Sequence, residues 1–272
     1  CIRDRIDYNF GVQTPFRIPH MADGYTYASA VNEALSNDGL SPRYTMHDMR
    51  LIAGHMHPQL FPDIDWQALI LRKVAFTHDV NLTFDGKGQR IRYFVYANYN
   101  SNRGFLNNTE MNDGYSTQIG MDALKVRSNI EARLTKSTVA RINLMGRLMQ
   151  YQHPSAGTNL SGMYDTPAAA FYPLAPQSEG GGWVRSRLCK NPLADLTSRG
   201  YNTVLQRTLF ADLTIDQNLE MITPGLSAQV RVAYDNSAEI TDMRTCDFAY
   251  MEVSSANDEI GNVKELLYTP YG

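Results

Sequence analysis

Alternation of apolar and polar residues after residue 73 is the feature that most limits what this chain can fold into. In residues 76–84, Phe76, Val80 and Leu82 occupy even positions, and threonine, aspartate or asparagine occupies the odd ones. The turn-forming sequence DGKG follows at 85–88, and residues 91–99 then carry apolar side chains at odd positions. Because successive strand residues point to opposite faces, this pattern predicts a β-hairpin with one apolar face.

The same pattern recurs in two further pairs of segments. Residues 124–134 and 140–148 flank Lys136 with apolar residues at even positions, and residues 205–215 are followed by 226–234 beyond the turn sequence Thr223-Pro224-Gly225. Weaker strands are predicted over Ile6–Val12 and near Met243–Val253. The chain is therefore predicted to be all-β, an antiparallel meander of about eight strands.

Parity also predicts the hairpin registers, since directly paired residues lie on the same face of a sheet. Around Lys136 the loop must hold an odd number of residues, and a Lys136–Thr138 turn would set Arg133 opposite Arg141. Such a pair of like charges would need an acidic partner between them, from a plug or from the adjoining strand. The loop around Lys87 must be even, with Lys87-Gly88 or Gly86–Gln89 as candidates, and so must the loop of the third hairpin.

The connections alternate in length along the chain. Those near 85–90, 135–138 and 218–225 are short, whereas 15–73, 101–120 and 152–200 are long. Short turns on one rim and long loops on the other are typical of outer-membrane barrels. Within the first long connection, helices are predicted over Tyr27–Ser36, Thr45–Ala53 and Trp66–Arg72, the last capped by Asp63 or Asp65. The 152–199 segment is predicted to be irregular, with one helical turn at most.

Strand length and charge separate a membrane barrel from a soluble sandwich. The predicted strands span about 10–16 residues, whereas globular strands average about five or six, and about 10 tilted residues cross a bilayer. Charged residues such as Arg127, Glu131 and Arg141 lie in mid-strand, which suits a wide polar lumen. The mean hydropathy is −0.36, and no run of 18 apolar residues predicts a transmembrane helix or a signal peptide.

Composition excludes several other classes. The net charge is −3, so nothing in it calls for a nucleic-acid partner. The three cysteines, at unpatterned spacing, give neither a disulfide framework nor a zinc module. His55 and His57 are interpreted as ordinary loop histidines, and Asp63 and Asp65 as helix-capping residues rather than a glycosidase pair. We therefore predict no catalytic residues, no metal and no cofactor.

The candidate ligand contacts come from one face of the sheet and from the loops. Five basic side chains share the inward parity of one hairpin, with a single glutamate among them. This surface could guide an anionic or carboxylate-bearing substrate, dock an acidic plug, or line an ordinary charged lumen. The lumen-facing candidates are Lys125, Arg127, Asn129, Glu131, Arg133, Arg141 and Arg147. The loop aromatics Tyr164, Phe171, Tyr172 and Trp183 are candidates for stacking on a glycan.

Specific strings add a resemblance that parity cannot supply. The chain resembles the SusC/RagA family of TonB-linked outer-membrane receptors over nearly its whole length, in family order. The matching strings are YTYASAVNEALSNDGLSPRYT at 25–45, FPDIDW at 61–66, HDVNLTFDGKGQRIRYFVYANYNSNRGFL at 78–106, VRSNIEARLTKSTVARINLMGR at 126–147, NPLADLTSRGY at 191–201 and PGLS at 224–227.

The resemblance implies a 22-stranded transmembrane barrel with an N-terminal plug. Such receptors work with a SusD-like lipoprotein, import oligosaccharides or peptides, and draw energy from the TonB complex through the plug. Residues 1–272 are then expected to be part of the barrel domain, with 15–73 as a helical extracellular insertion and with the plug and the C-terminal strands absent. The expected location is the outer membrane of a Gram-negative, Bacteroidota-like bacterium, where the outer face of the barrel contacts lipid. The alternatives are a soluble β-sandwich that binds glycans and a passive porin-like barrel.

Overall fold

The computed structural model describes residues 2–112, 114–155, 160–257 and 263–271. The large sheet consists of β1 (Ile2–Gln13), β2 (Ala75–Lys87), β3 (Ile91–Arg103), β4 (Gly120–Arg133), β5 (Thr138–Pro154), β7 (Gly200–Asn218) and β8 (Ser227–Thr245). The small sheet consists of β6 (Trp183–Arg185), β9 (Tyr250–Asn257) and β10 (Val263–Tyr271). The helices are α1 (Gly24–Asn37), α2 (Met46–Ala53), α3 (Trp66–Ile70), α4 (Gly162–Asp165) and α5 (Pro192–Ser198), with a 3₁₀ turn at Gln177–Glu179.

The large sheet is an antiparallel meander in the order β1-β2-β3-β4-β5-β7-β8. Within the described residues, β1 and β8 are its two edges, so the sheet does not close on itself. Its strands are 12 to 19 residues long, which is long for a globular protein. The predicted all-β meander is therefore confirmed.

The predicted faces of the strands coincide across the whole sheet. Phe84 lies opposite Val95, Leu124 lies opposite Leu148, and Ile215 lies opposite Val230. Most apolar side chains of the seven strands thus share one face, as predicted from parity. No described residues cover this face, and many of its large apolar side chains are exposed. Leu144 is 41% exposed, for example, and Val232 is 64% exposed.

The parity predicted for the three hairpin loops is confirmed, but the predicted positions of two turns are wrong. Near Lys136, Leu134 N donates to Thr138 O at 3.0 Å, so the turn comprises Thr135, Lys136 and Ser137. The Thr135 and Thr138 hydroxyls are 2.7 Å apart, and this side-chain hydrogen bond closes the turn one residue earlier than expected. Arg141 therefore lies opposite Glu131, and the predicted pair of like charges with Arg133 does not form.

The turn near Lys87 is centred two residues beyond the centre that both predicted loops share. Gly88 N donates to Ile91 O at 2.8 Å, and Lys87 pairs with Arg92. The turn residues are therefore Gln89 and Arg90, not Lys87-Gly88 or Gly86–Gln89. The third hairpin pairs Asn218 with Ser227, which leaves an even number of loop residues between them.

The three helices predicted in the first long connection are confirmed, and each is capped at its start. The Asp23 side chain accepts from Thr26 N before α1, and Thr45 and Asp48 form a capping box at α2. Asp65 accepts from Ala68 N and caps α3. Asp63 instead accepts from Gly24 N at 2.7 Å. In the described part of the chain no helix is long and apolar enough to cross a membrane.

The long connections and the small sheet carry the buried core of the molecule, and we call this region the cap. The side chains of Trp66, Phe171 and Leu193 pack together there, with the Trp66 and Phe171 rings in an edge contact at 5.5 Å between centroids. A second, smaller cluster joins Ala28, Ile52 and Phe61. The 152–199 segment contains α4, the 3₁₀ turn, β6 and α5, so it holds more regular structure than the sequence predicted.

The weak strand predicted near residues 243–253 is two different strands. β8 ends at Thr245, and β9 begins at Tyr250 in the small sheet, where it pairs with β6 and β10. Between them, Cys246 N donates to Arg199 O at 3.2 Å, and its thiol donates to Ser198 O at 3.0 Å. These contacts direct the chain out of the large sheet, so the described residues form more strands than the eight or so predicted.

Candidate functional site: the two faces of the large sheet

The apolar residues of the uncovered face form a band that runs obliquely to the strand ladder. On β1 the band spans Ile6 to Val12, and on β8 it spans Ala228 to Tyr234. The register from Ile6 passes through Leu82, Ala97, Val126, Gly146 and Leu209 and reaches Asn236 on β8. If the band followed the register, its end nearest the short turns would lie at Asn236 on β8. It lies at Ala228 instead, about eight residues nearer the short turns.

The upper border of this apolar band shifts in the same sense. Polar residues follow it at Asp122, Gln150, Arg207 and Asn236 on successive strands. Asp122 lies opposite Gln150, but Arg207 lies opposite Leu148 and Asn236 opposite Leu209. On β7 and again on β8, the polar border therefore lies two residues nearer the short turns than on the preceding strand.

Because of this shift, the strands are inclined to the normal to the apolar band, which is the direction within the sheet that is perpendicular to the length of the band. About eight residues at about 3.3 Å each, over six strand spacings of about 4.8 Å, correspond to an inclination of about 40°. Strands of transmembrane barrels tilt by about 35–45° from the membrane normal.

The opposite face of the sheet, which we call the polar wall, is joined by side-chain hydrogen bonds from strand to strand. Asp79 accepts from Asn98 at 3.0 Å and from Asn100 at 3.2 Å, and Tyr96 donates to Asn81 at 2.7 Å. Asn98 is buried within this cluster. Such a network orders the polar side chains without a covering layer of protein.

Near the short turns, two cations of the polar wall, Arg141 and Arg231, are paired with carboxylates. Arg141 contacts both Glu131 on β4, at 3.4 Å, and Asp216 on β7. Asp212 accepts from Asn143 at 3.0 Å and lies 3.6 Å from the Arg231 guanidinium. Asp216 thus provides the acidic partner that was expected from the adjoining strand, although for Arg141 alone.

Nearer the long loops, the polar wall carries cations without acidic partners. We call Lys125, Arg127 and Arg147 the cationic patch. Lys125 lies directly opposite Arg147, and the Arg127 Nε donates to Asn129 Oδ1 at 3.1 Å. No ion pair involves these three side chains among the residues that the structure describes, and all three are exposed.

Two exposed apolar side chains adjoin the cationic patch on the polar wall. Met145 pairs with Arg127 and with Phe210, and both apolar side chains are 43% exposed. The patch therefore combines positive charge with apolar contact area. Of the predicted lumen residues, Arg133 is separate: it lies at the end of β4 opposite Val139.

The predicted loop aromatics lie in the cap, in different environments. Phe171 is only 2% exposed and belongs to the main core cluster. Tyr164 and Trp183 are partly buried against the same cluster, whereas Tyr172 is at the surface. Phe171 thus packs the core and presents no ring face for stacking. The His55 Nδ1 lies 3.3 Å from Asp63 Oδ2, and no group of three potential metal ligands occurs in the described ranges.

Sequence reasoning missed Asp212 and Asp216, although parity places both on the polar wall beside Leu213 and Ile215. Met145 and Phe210 were missed because an apolar residue at an inward position looks like an irregularity in the alternation. All four positions could have been found by extending the parity count to every residue of β5 and β7.

Comparison with known proteins shows the fold. No protein-family model and no curated protein sequence matches this chain. Two solved structures are similar: the RagAB peptide importer in its "closed-closed" state, with a TM-score of 0.57 at 14% identity, and the RagAB peptide transporter, with a TM-score of 0.54 at 12% identity. In each case the match covers 88% of this chain and 28% of the other. The chain therefore has the fold of part of a transporter chain, and it spans little more than a quarter of that chain's length.

Proposed function

We propose that this chain forms part of the wall of an outer-membrane, TonB-dependent importer of the SusC/RagA kind. In this proposal the apolar band faces lipid and the polar wall lines the lumen. Residues 15–73 form an extracellular insertion, and a plug and further strands complete the barrel. The fold similarity to the RagAB chains supports the architecture, since the likeness extends over most of this chain.

The inclination of the apolar band carries the proposal. A soluble sandwich buries its apolar face beneath a second sheet, whereas this face is uncovered across all the described strands. A bilayer requires an apolar band that is level with the membrane while the strands cross it at an angle. An inclination of about 40° between the strands and the normal to the band satisfies that requirement.

Partners and substrate follow from the same proposal. A SusD-like lipoprotein would approach from the long-loop side, where the cap lies, and the TonB complex would act through the plug. Oligosaccharides and peptides are both substrates of this kind of receptor, and the peptide activity named for the two similar structures favours peptides. Catalysis, a metal and a cofactor have no part in the proposed mechanism.

The test uses two neighbouring residues of β5 in the complete protein. Leu144 on the apolar band and Met145 on the polar wall are similarly exposed, at 41% and 43%. Leu144→Lys should destabilise the membrane-inserted protein by about 2–4 kcal/mol, because it places a charge near the middle of the lipid-facing band. Met145→Lys should destabilise by less than about 1 kcal/mol, because the lysine faces water and only the repulsion from Arg127, directly opposite, acts against it.

Urea unfolding in lipid vesicles measures both variants. Equal destabilisation by the two substitutions would contradict the assignment of the faces. A soluble, detergent-free monomer would favour the sandwich alternative, and uptake of substrate without the TonB complex would favour a passive porin.

A further inference from the structure

We infer that the cationic patch is a selectivity site for peptides that carry carboxylate side chains. The inference rests on the proposed function and specifies the substrate class that the polar wall admits. Lys125 and Arg147 face each other directly across β4 and β5, with Arg127 two residues further along β4. Like charges that are directly opposite destabilise a sheet, so this arrangement gains free energy when an anion lies between them.

The distribution of charge along the polar wall supports a ligand rather than a structural ion pair. Near the short turns, Arg141 is held by Glu131 and Asp216, and Asp212 interacts with Arg231. Acidic residues therefore pair with Arg141 and Arg231 in that half of the wall, although Arg92 and Arg133 have no ion pair among the described residues. The cationic patch has no such partner within the described residues, so its positive potential extends into the space that the wall faces.

The neighbouring apolar side chains favour a peptide over a small inorganic anion. Arg127, Met145 and Phe210 lie side by side on three adjacent strands. A guanidinium binds a carboxylate through paired hydrogen bonds, and the thioether and ring can contact the apolar side chain of a neighbouring residue. Such a surface suits a segment in which an acidic residue and an apolar residue are close together.

The position of the cationic patch favours an incoming substrate over a permanently bound segment. Lys125 lies beside Leu124 and Arg147 beside Leu148, the last apolar residues of the band before the polar border at Asp122 and Gln150. The patch therefore lies at mid-height on the wall, on the long-loop side of the paired charges at Glu131 and Arg141. A substrate that enters from that side meets the cations before it reaches the paired charges.

The experiment compares two fluorescent peptides that differ only in charge. The complete protein, purified in detergent with its barrel intact, is titrated with Ala-Asp-Ala-Asp-Phe and with Ala-Asn-Ala-Asn-Phe at low and at physiological salt. We expect the acidic peptide to bind about tenfold more tightly at low salt. This preference should shrink as salt is added, since exposed charges are screened beyond about 8 Å at physiological ionic strength.

Two double variants with the same change in net charge locate the effect. Lys125→Gln with Arg147→Gln should reduce the preference for the acidic peptide to less than about twofold. Arg90→Gln with Arg92→Gln removes two exposed cations near the short turns and should leave the preference intact. Exchanging the cations, Lys125→Arg with Arg147→Lys, should retain it, which shows that charge rather than packing is responsible.

Equal affinity of the wild-type protein for both peptides would overturn the inference, as would equal loss in the two double variants. If the patch variant instead makes the barrel interior sensitive to protease while peptide affinity stays the same, the patch holds a segment of the protein itself and the inference is wrong. If energised vesicles take up both peptides at equal rates, the selectivity site is rejected and the proposed importer function is retained. Preferential binding without TonB-dependent uptake would reject the importer and leave the selectivity site.

Discussion

The large sheet and the cap are stabilised in different ways. In the cap, Trp66, Phe171 and Leu193 are almost completely buried against one another. In the sheet, both faces are open, and its large apolar side chains remain about two-fifths exposed at positions such as Leu144. The cap thus carries its own core, whereas the sheet depends on whatever covers its apolar band. The cap therefore tests what burial within the chain contributes, and the sheet tests what its surroundings contribute.

The largest expected effect comes from the core of the cap. Trp66 is 3% exposed, and Trp66→Ala should destabilise the cap by about 3–5 kcal/mol, because it removes buried area and leaves a cavity. Hydrogen exchange of α3 and α5 measures this loss, which should be the same in detergent and in vesicles. Phe84→Ala on the apolar band is the comparison, and its effect should depend on the lipid. If the lipid altered the Trp66→Ala effect equally, the cap would not be independent of the membrane.

The junction between the two regions gives the next largest effect. Gly200 begins β7 with φ +93°, and a Cβ there would lie 1.9 Å from Arg244 O. Gly200→Ala should therefore destabilise the protein by about 1–3 kcal/mol. At Gly146, in mid-sheet, a Cβ would meet nothing within 4 Å, so Gly146→Ala should be neutral or stabilise by up to about 1 kcal/mol. Urea unfolding of the two variants in vesicles measures the contrast, and equal effects would show that the Gly200 conformation is not required.

A smaller effect is expected at the start of α2. Thr45 Oγ1 accepts from Asp48 N at 3.2 Å, while Asp48 accepts from Thr45 N at 2.8 Å. Thr45→Ala should destabilise the cap by about 1 kcal/mol. Protease digestion within residues 46–53 measures the loss, with Ser41→Ala, at an exposed position, as the control. Greater protease sensitivity in the Ser41 variant than in the Thr45 variant would contradict the capping role.

The smallest effect is a pH dependence at α1. The hydrogen bond from Thr26 to its carboxylate lowers the pKa of Asp23 below its usual 3.8. Because the folded pKa is lower than the unfolded one, the contribution of this cap is present at neutral pH and is lost as the pH falls through the folded value. The protection factor of the Thr26 amide proton, which is the unprotected exchange rate divided by the observed rate at the same pH, should fall between pH 6 and about pH 2. Asp23→Asn keeps the cap without the titration, and the protection factor of its Thr26 amide should not change over this pH range.

The sheet was largely predictable from the sequence, because its period of two is a local property. Parity alone assigns Phe84 and Val95 to one face, and it does the same for Ile215 and Val230. The exact registers were not predictable, because the turn near Lys136 depends on a hydrogen bond between the Thr135 and Thr138 side chains. The charge pairs were found only in part, since Arg141 meets Asp216 across a connection of many residues.

The cap could not be predicted beyond its helices. Capping residues such as Thr45 and Asp65 signal helix starts locally, and those starts were found. The contact between Trp66 and Phe171 is decided by the packing of distant loops, for which the sequence carries no periodic signal. The sequence alone therefore leaves Phe171 a candidate ligand contact, whereas in the structure it forms part of the core.

The length of β7 and β8 has a consequence for the height of the cap. On β7 the apolar band ends at Leu209, but the strand begins at Gly200, and β8 continues beyond Tyr234 to Thr245. In the proposed orientation, about nine residues at about 3.3 Å each, inclined by about 40°, raise the strand ends roughly 20 Å beyond the lipid surface. In that orientation the two strands hold the cap at a distance from the membrane. A partner that arrives from outside the cell would touch the cap well before it reached the bilayer, and the docking distance would be set by strand length alone.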